Sequence, residues 1–189
     1  DGPRRVLNRE VFGGPIVAQR KEASPVEIAA LLMDVVCKPA EREERALTNL
    51  AAHLNVEPGQ LRAELLYLKA FAVDFAVALA LGDSPEKSEI LDNYYGHWEN
   101  MARHDAGILS DLHERVSYYS EDAVSGREHA HGLDGQVGQA FADRFAAVER
   151  GEELLLVGGQ MFAALFAEVT DLFHAVDIVP FGAEAADRN

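Results

Sequence analysis

Residues 60–81 read QLRAELLYLKAFAVDFAVALAL, and this stretch decides the fold class. It is long enough for about six helical turns, and apolar residues would occupy nearly every side of the helix. A soluble helix that is apolar all round has to be buried among other elements. Residues 154–173 have the same character, so the sequence predicts an all-α bundle with two central helices.

Start and stop signals for helices divide the rest of the chain. Ser24-Pro25-Val26-Glu27 combines a capping serine, a proline at the first helical position and a glutamate at the third, which is a capping-box pattern. Asp83-Ser84-Pro85 repeats the cap and the proline, and Gly82 suits the end of the preceding helix. The signals predict about six helices, with bounds near 25–38, 41–54, 60–81, 85–119, 133–150 and 152–179. Gly107 leaves open a break in the fourth helix.

The predicted organisation is a single bundle domain over residues 24–180, between an extended basic arm, residues 1–23, and a loose tail, residues 181–189. Residues 1–21 have a net charge of +3 in a chain of −15, so the remainder sums to −18. The arm is expected to be solvated, as termini usually are, or to dock on the acidic body of a neighbouring subunit.

Composition narrows the classes of partner and the compartment. The net charge of −15 repels nucleic-acid phosphates and anionic lipid headgroups, so neither is expected as a partner. Cys37, the only cysteine, lies in an apolar run and fits a reducing compartment, and we identify no signal segment. The longest weakly polar run, residues 154–167, is too short to span a bilayer. We therefore expect a soluble cytoplasmic protein.

Asp74 interrupts the most apolar of the predicted helices. A carboxylate left unpaired among apolar neighbours would cost several kcal/mol, or its pKa would rise until it is neutral. We therefore expect a partner for Asp74 on another helix. The pair would either fix the packing of the two helices or form part of a site.

Residues 94–131 concentrate four tyrosines, Trp98 and five histidines. On a helix, an apolar stripe runs from Leu91 to Tyr119 in steps of three or four and includes Trp98, so most of its aromatic residues are expected to pack in the core. Asp105 occupies a stripe position where a leucine would be expected.

His97 and His104 follow one flank of that stripe, and His104 is next to Asp105. Their spacing of seven residues keeps them about 10.5 Å apart, too far to bind one ion together. They are expected at the edge of the core. They stay candidates for a site that is completed by other residues.

Asp171 and His174 form an acid-x-x-His unit on the last predicted helix. Two such units and two further acids build the carboxylate-bridged two-metal sites of some bundles. Only one clear acid-x-x-His unit is present in the sequence. The ordinary interpretation is that Asp171 and His174 are solvated or locally paired at the edge of the bundle, and the alternative is that they bind a metal.

Familiar catalytic motifs are absent from the sequence, which contains no phosphate-binding loop, no dinucleotide fingerprint, no Cys-x-x-Cys, no nucleophile elbow and no His-Glu-x-x-His. No cofactor is predicted, and whether the protein is an enzyme stays open. One hypothesis is a partner-binding or self-associating module, a homo-oligomer or the binder of a protein partner, with Trp98 and the tyrosines lining a groove. The alternative is a bundle-core enzyme site, metal-dependent or acid–base, built on Asp74, Asp105, Asp171 and His174. Small-ligand binding without chemistry is the third hypothesis.

Overall fold

The computed structural model describes residues 20–38, 41–124, 132–145 and 151–179. Within these ranges the chain forms seven helices and two short strands, which confirms the all-α class. The helices are α1 Pro25–Cys37, α2 Glu41–Leu54, α3 Pro58–Leu81, α4 Pro85–Ala102, α5 Ile108–Val124, α6 Gly132–Asp143 and α7 Gly151–Ala175. The strands are β1 Lys21–Ala23 and β2 Val176–Ile178.

The predicted capping signals are confirmed at α1 and α4. Ser24 Oγ accepts the backbone N–H of Glu27 at 3.3 Å, and Glu27 Oε2 accepts the backbone N–H of Ser24 at 2.8 Å. At α4, Ser84 Oγ accepts the backbone N–H of Lys87 at 3.1 Å. These side chains satisfy donors that the first turn of a helix leaves unpaired.

The central helix is α3, as predicted, and it packs on α1, α2, α4, α5 and α7. Phe71 is buried and stacks on Tyr119 of α5 and Phe162 of α7, with ring centroids 5.5 and 5.8 Å apart. Phe75 extends the contact to Phe166 of α7 at 6.1 Å. Aromatic pairs of this kind add about 0.5–1.5 kcal/mol to the burial of each ring. They hold α3 against α5 and α7.

Among the described residues, the other helix predicted to be central, α7, packs mainly on two neighbours and is partly exposed. It packs on α6 and α3, while Leu156 is 57% exposed and three alanines nearby are also exposed. The prediction that α7 is apolar on all sides and buried was wrong, because a hydropathy pattern treats alanine and glycine as core residues. In the structure Gly158 and Gly159 face α6, and the alanines face outward.

By length and composition, α7 is the one helix among the described residues that could cross a membrane. Its most apolar window has a mean hydropathy of 1.4, and 33% of that window is buried in the bundle. The sequence-based prediction of a run too short to span counted only residues 154–167, whereas the helix extends for 25 residues.

The fourth predicted helix is two helices, α4 and α5, separated by residues 103–107. Asp105 lies in this turn, where its Oδ1 accepts the backbone N–H of Gly107 at 3.1 Å and its carbonyl accepts that of Ile108 at 3.2 Å. An aspartate that bonds to the backbone two residues ahead stabilises a turn. Asp105 is therefore exposed, and its predicted position on a core stripe was wrong.

A parallel pair of short strands joins the two ends of the described chain, with Glu22 of β1 opposite Asp177 of β2. The last helix therefore ends at Ala175 instead of near residue 179, and residues 21–23 of the predicted arm belong to the packed body. Val176 and Ile178 are β-branched and adopt a strand once a partner strand is present. The remainder of the predicted arm, residues 1–19, and the predicted tail lie outside the described residues.

Candidate functional site

Asp74 has the interhelical partner that its position in the sequence predicts. Tyr95 Oη on α4 donates to Asp74 Oδ1 at 3.0 Å. Burial raises the pKa of the Asp74 carboxyl, while the Tyr95 hydrogen bond and the charge of Lys87 oppose the shift. Burial, followed by the neighbouring Asp74 charge, also raises the pKa of Tyr95. The pair joins α3 to α4 and fixes how the two helices pack.

Trp98 is completely buried and does not line a groove. Its ring stacks on Tyr67 of α3 at 6.5 Å between centroids and meets Tyr94 edge-on at 6.4 Å. Trp98 Nε1 and Tyr94 Oη lie near each other without a well-aligned hydrogen bond, and neither has another partner among the described residues. Burial raises the pKa of Tyr94 well above its usual value, although the nearby Trp98 indole opposes the shift. The predicted packing role of this stripe is confirmed, and the aromatic groove is not formed.

The other candidate residues lie at or near the surface. His97 is half-buried on α4, and His104 is exposed beside Asp105 in the turn after it. Asp171 and His174 are exposed on the last turns of α7.

The structure does not bring Asp74, Asp105, Asp171 and His174 together. Asp74 bonds to Tyr95 inside the bundle, whereas the other three face solvent. Among the described residues, no three His, Cys, Asp or Glu side chains are grouped so that they could hold a metal ion.

A buried ionic centre at Glu64 is present that the sequence analysis missed. Glu64 is 6% exposed, and its Oε1 accepts the hydroxyl of Tyr119 at 2.7 Å while its Oε2 accepts Nε of Arg115 at 2.9 Å. Burial raises the pKa of Tyr119, and the adjacent Glu64 carboxylate raises it further. Glu64 therefore ties α3 to α5 through two charge-assisted hydrogen bonds.

A second arginine connects this centre to the loop after α6. Arg144 Nε lies 3.7 Å from Glu64 Oε2, and the guanidinium sits over the Tyr118 ring at 5.4 Å from its centroid. Glu114 completes the centre with Oε1 at 2.5 Å from Arg115 Nη1 and 3.8 Å from Arg144 Nη2. Both oxygens of Glu64 are engaged by protein groups, so the centre is built to hold helices together.

Glu64 has the same sequence signal as Asp74, because each is an acidic residue within the apolar helix α3. Its partners on α5 could not be identified from sequence, since Arg115 and Tyr119 lie 51 and 55 residues further along the chain.

A cleft of about 230 Å³ opens between α1, α2 and α3. Its apolar walls include Val36 and Leu47, and Lys69, which is only 7% exposed, contributes a charged group. Arg62 of α3 and Glu44 of α2 form an ion pair at the cleft. Cys37 also lines the cleft. Burial raises the pKa of its thiol, which is therefore held protonated.

Within the described residues, the chain is thus a helical bundle with a buried ionic centre, a solvent-reaching cleft and an exposed, uncharged face on α7. No protein-family model, no curated protein and no solved structure matches the chain. Function is therefore inferred from the geometry of these features.

Proposed function

We propose that this protein is a non-enzymatic helical module that associates with a second copy of itself through the outer face of α7. The observation that carries the proposal is the exposure of a helix face that has no charged residue between Glu153 and Glu168. The exposed part of this charge-free stretch consists of Leu156, Gln160, Ala163, Ala164 and Ala167.

A face of this composition suits contact with another helix. Leu156 is 57% exposed, so burying it against a partner would contribute roughly 1–2 kcal/mol. Alanines let two helix backbones approach closely, toward the short end of the usual 8–10 Å interaxial distance. In a chain of −15, this uncharged face is also where two copies can meet with least repulsion.

Under a two-fold axis, a carboxylate at one end of the face would meet an imidazole at the other end of the partner's face. Glu152 and His174 are both exposed, and each lies 11 residues from Ala163, one before it and one after it. Eleven residues make about three full turns, so all three share one face of the helix. Antiparallel packing about Ala163 would set Glu152 of each copy beside His174 of the other.

The two alternatives for this face are a membrane and an unrelated protein. Insertion of α7 into a bilayer would require it to leave the aromatic contacts with α3 and the glycine contacts with α6. The charge of −15 further disfavours anionic lipid. A single pair of helices buries less than the ~1,200 Å² of a standard interface, so we expect a reversible dimer in the micromolar range.

A cysteine placed at the two-fold axis tests the proposal. In a Cys37→Ser background, Ala163→Cys should form an interchain disulfide under mild oxidation, because each cysteine would face its own copy. Ala52→Cys, an exposed alanine on α2, is the matched control and should stay largely monomeric.

Ala163→Glu should abolish the dimer in sedimentation velocity, because it sets two carboxylates against each other at the axis, whereas Ala52→Glu should leave it intact. A chain that is monomeric up to several hundred micromolar contradicts the proposal, given the expected affinity. So does a dimer that Ala163→Glu leaves unchanged. Binding of the monomer to zwitterionic vesicles would assign the face to a membrane instead.

A further inference from the structure

We propose that a zinc ion binds at each end of the α7 face, between Asp171 and His174 of one copy and Glu152 of the other. The inference rests on the proposed dimer, because one chain alone cannot form the site. Glu152 and His174 belong to the same helix, and the residues between them make about 33 Å of its length. Their side chains can therefore meet only across two copies.

Asp171 and His174 supply two ligands from the last turns of α7. Residues three apart on a helix lie on one face, and an acid-x-x-His unit is the arrangement that metal-binding bundles use. Both side chains are exposed, so an ion can reach them from solvent. Among the described residues of one copy, no third His, Cys, Asp or Glu completes a metal-binding group. A further protein ligand has to come from a second chain.

Glu152 of the second copy is in position to be that ligand. Antiparallel packing about Ala163 sets Glu152 opposite His174, and the two-fold axis makes two identical sites. Each site lies about 16 Å along the helix from Ala163, and a shallow crossing of about 20° keeps the two helix axes about 10 Å apart there. A glutamate and a histidine on facing helices can converge on one ion across that distance.

The ligands favour zinc over magnesium. Two carboxylates and one imidazole make a three-ligand set of the kind that zinc binds with a water molecule in the fourth position. Magnesium demands six oxygen ligands in octahedral geometry and does not favour imidazole. Either ion would reduce the repulsion between two chains of −15, so a comparison of the two separates coordination from charge.

The experiment measures the dissociation constant of the full-chain dimer by sedimentation equilibrium in EDTA, in zinc and in magnesium at equal ionic strength. If the third ligand raises zinc affinity about tenfold at each site, saturating zinc should tighten the dimer about a hundredfold, because the dimer has two sites. Magnesium should leave the dissociation constant close to its value in EDTA.

Glu152→Gln and His174→Gln should each abolish the response to zinc. Both variants should keep most of the dimer affinity in EDTA, because exposed ion pairs contribute little. Glu99→Gln on α4 and His113→Gln on α5 are the matched controls, since both residues are exposed on other helices. These controls should respond to zinc as the wild type does.

Mixing the two ligand variants tests whether the ligands come from different copies. A heterodimer of Glu152→Gln and His174→Gln has one intact site and one site that lacks both groups. Zinc should therefore tighten the heterodimer about tenfold and leave both homodimers unchanged. A fluorescent label on one variant distinguishes the heterodimer in the mixture.

The outcomes separate this inference from the proposed dimer. A dimer in EDTA that zinc does not tighten, or that magnesium tightens equally, overturns the zinc site and leaves the dimer standing. So does a zinc response that Glu152→Gln retains or that the mixed variants fail to recover. A chain that is monomeric with and without zinc overturns both.

Discussion

At the scale of single residues, Glu64 and Asp74 show two ways in which α3 accommodates an acid. Glu64 is buried and engaged at both oxygens by Tyr119 and Arg115. Asp74 is half-buried and has one neutral donor, Tyr95. Removing a partner of a well-paired buried carboxylate destabilises the fold. A poorly paired buried carboxylate can itself destabilise the fold, so that replacing it is favourable.

Tyr119→Phe should therefore lower the free energy of unfolding by about 1–2 kcal/mol, since it leaves an oxygen of buried Glu64 without its donor. Tyr118→Phe is the matched control, because the hydroxyl of the neighbouring Tyr118 donates to the carbonyl of Ala140 at 3.4 Å, a longer bond to a neutral acceptor. Urea denaturation of both variants measures the difference. Equal losses would mean that the Glu64–Tyr119 bond does not stabilise the fold.

Asp74→Asn should stabilise the protein at neutral pH. Burial raises the folded-state pKa of this carboxyl above its ordinary value of 3.8, so the folded state holds the proton more tightly than the unfolded state does. Ionised Asp74 therefore lowers stability as pH rises through the folded-state pKa. Below 3.8 the carboxyl is protonated in both states, so this contribution is constant there.

Melting temperatures of the wild type and Asp74→Asn across this range check the sign. The advantage of the variant should be present at pH 7, should shrink as pH falls through the folded-state pKa of Asp74, and should be constant below 3.8. A variant that is less stable at pH 7 would show that the hydrogen bond from Tyr95 outweighs desolvation of the charge.

At the scale of elements, the contact between α6 and α7 depends on glycine. A Cβ at Gly138 would overlap the carbonyl oxygen of Leu155, and one at Gly159 would lie 2.7 Å from the carbonyl oxygen of Asp134. The two backbones therefore approach as closely as they do only because side chains are absent on both sides.

Gly138→Ala should cost about 1–3 kcal/mol, since the added methyl group must push the two helices apart. Gly96→Ala provides the contrast, because a Cβ at that position in α4 meets nothing within 4 Å. It should gain about 0.5–1 kcal/mol from the better helix propensity of alanine. Thermal denaturation of both variants separates packing from propensity, and two changes of the same sign would contradict this account.

Signals within a few residues of each other predicted where helices begin, whereas contacts between distant parts of the chain could not be predicted from them. The caps at Ser24 and Ser84 need only the next three residues, so the starts of α1 and α4 were readable from sequence. The strand at Val176 was not, because its partner is at Lys21 and a helical pattern precedes it. The break between α4 and α5 depends on the hydrogen bond from the backbone of Gly107 to the side chain of Asp105. From sequence, an acid on an apolar stripe is equally consistent with a buried group and with a turn.

The same limit explains the candidate site. Asp74 was identified, and its need for a partner on another helix was correctly predicted, because burial of a charge can be inferred from its neighbours in a helix. Glu64 has the same local signature, yet its role depends on α5 and the residues after α6. The cleft and the exposed face of α7 are properties of how helices assemble, so no periodicity in the sequence marks them.

At the scale of the whole molecule, charge decides how the proposed dimer responds to salt. Two chains of −15 repel each other, and the screening length falls from about 10 Å at 0.1 M salt to about 3 Å at 1 M. The Glu152–His174 contacts would be weakened by the same salt, but exposed pairs contribute about 0–1 kcal/mol each, so relief of the repulsion should dominate.

We therefore expect the dimer to tighten between low and high salt, measured as the dissociation constant from sedimentation equilibrium, with Ala163→Glu as the monomeric control.

A dimer that loosens with salt would mean that opposite charges hold the copies together. The basic residues 1–21, with their net charge of +3, and the acidic remainder of the neighbouring chain would then be the better explanation. Deleting residues 1–21 would dissociate a dimer of that kind. A dimer made through α7 would survive the deletion, because its uncharged face lies wholly between Glu153 and Glu168.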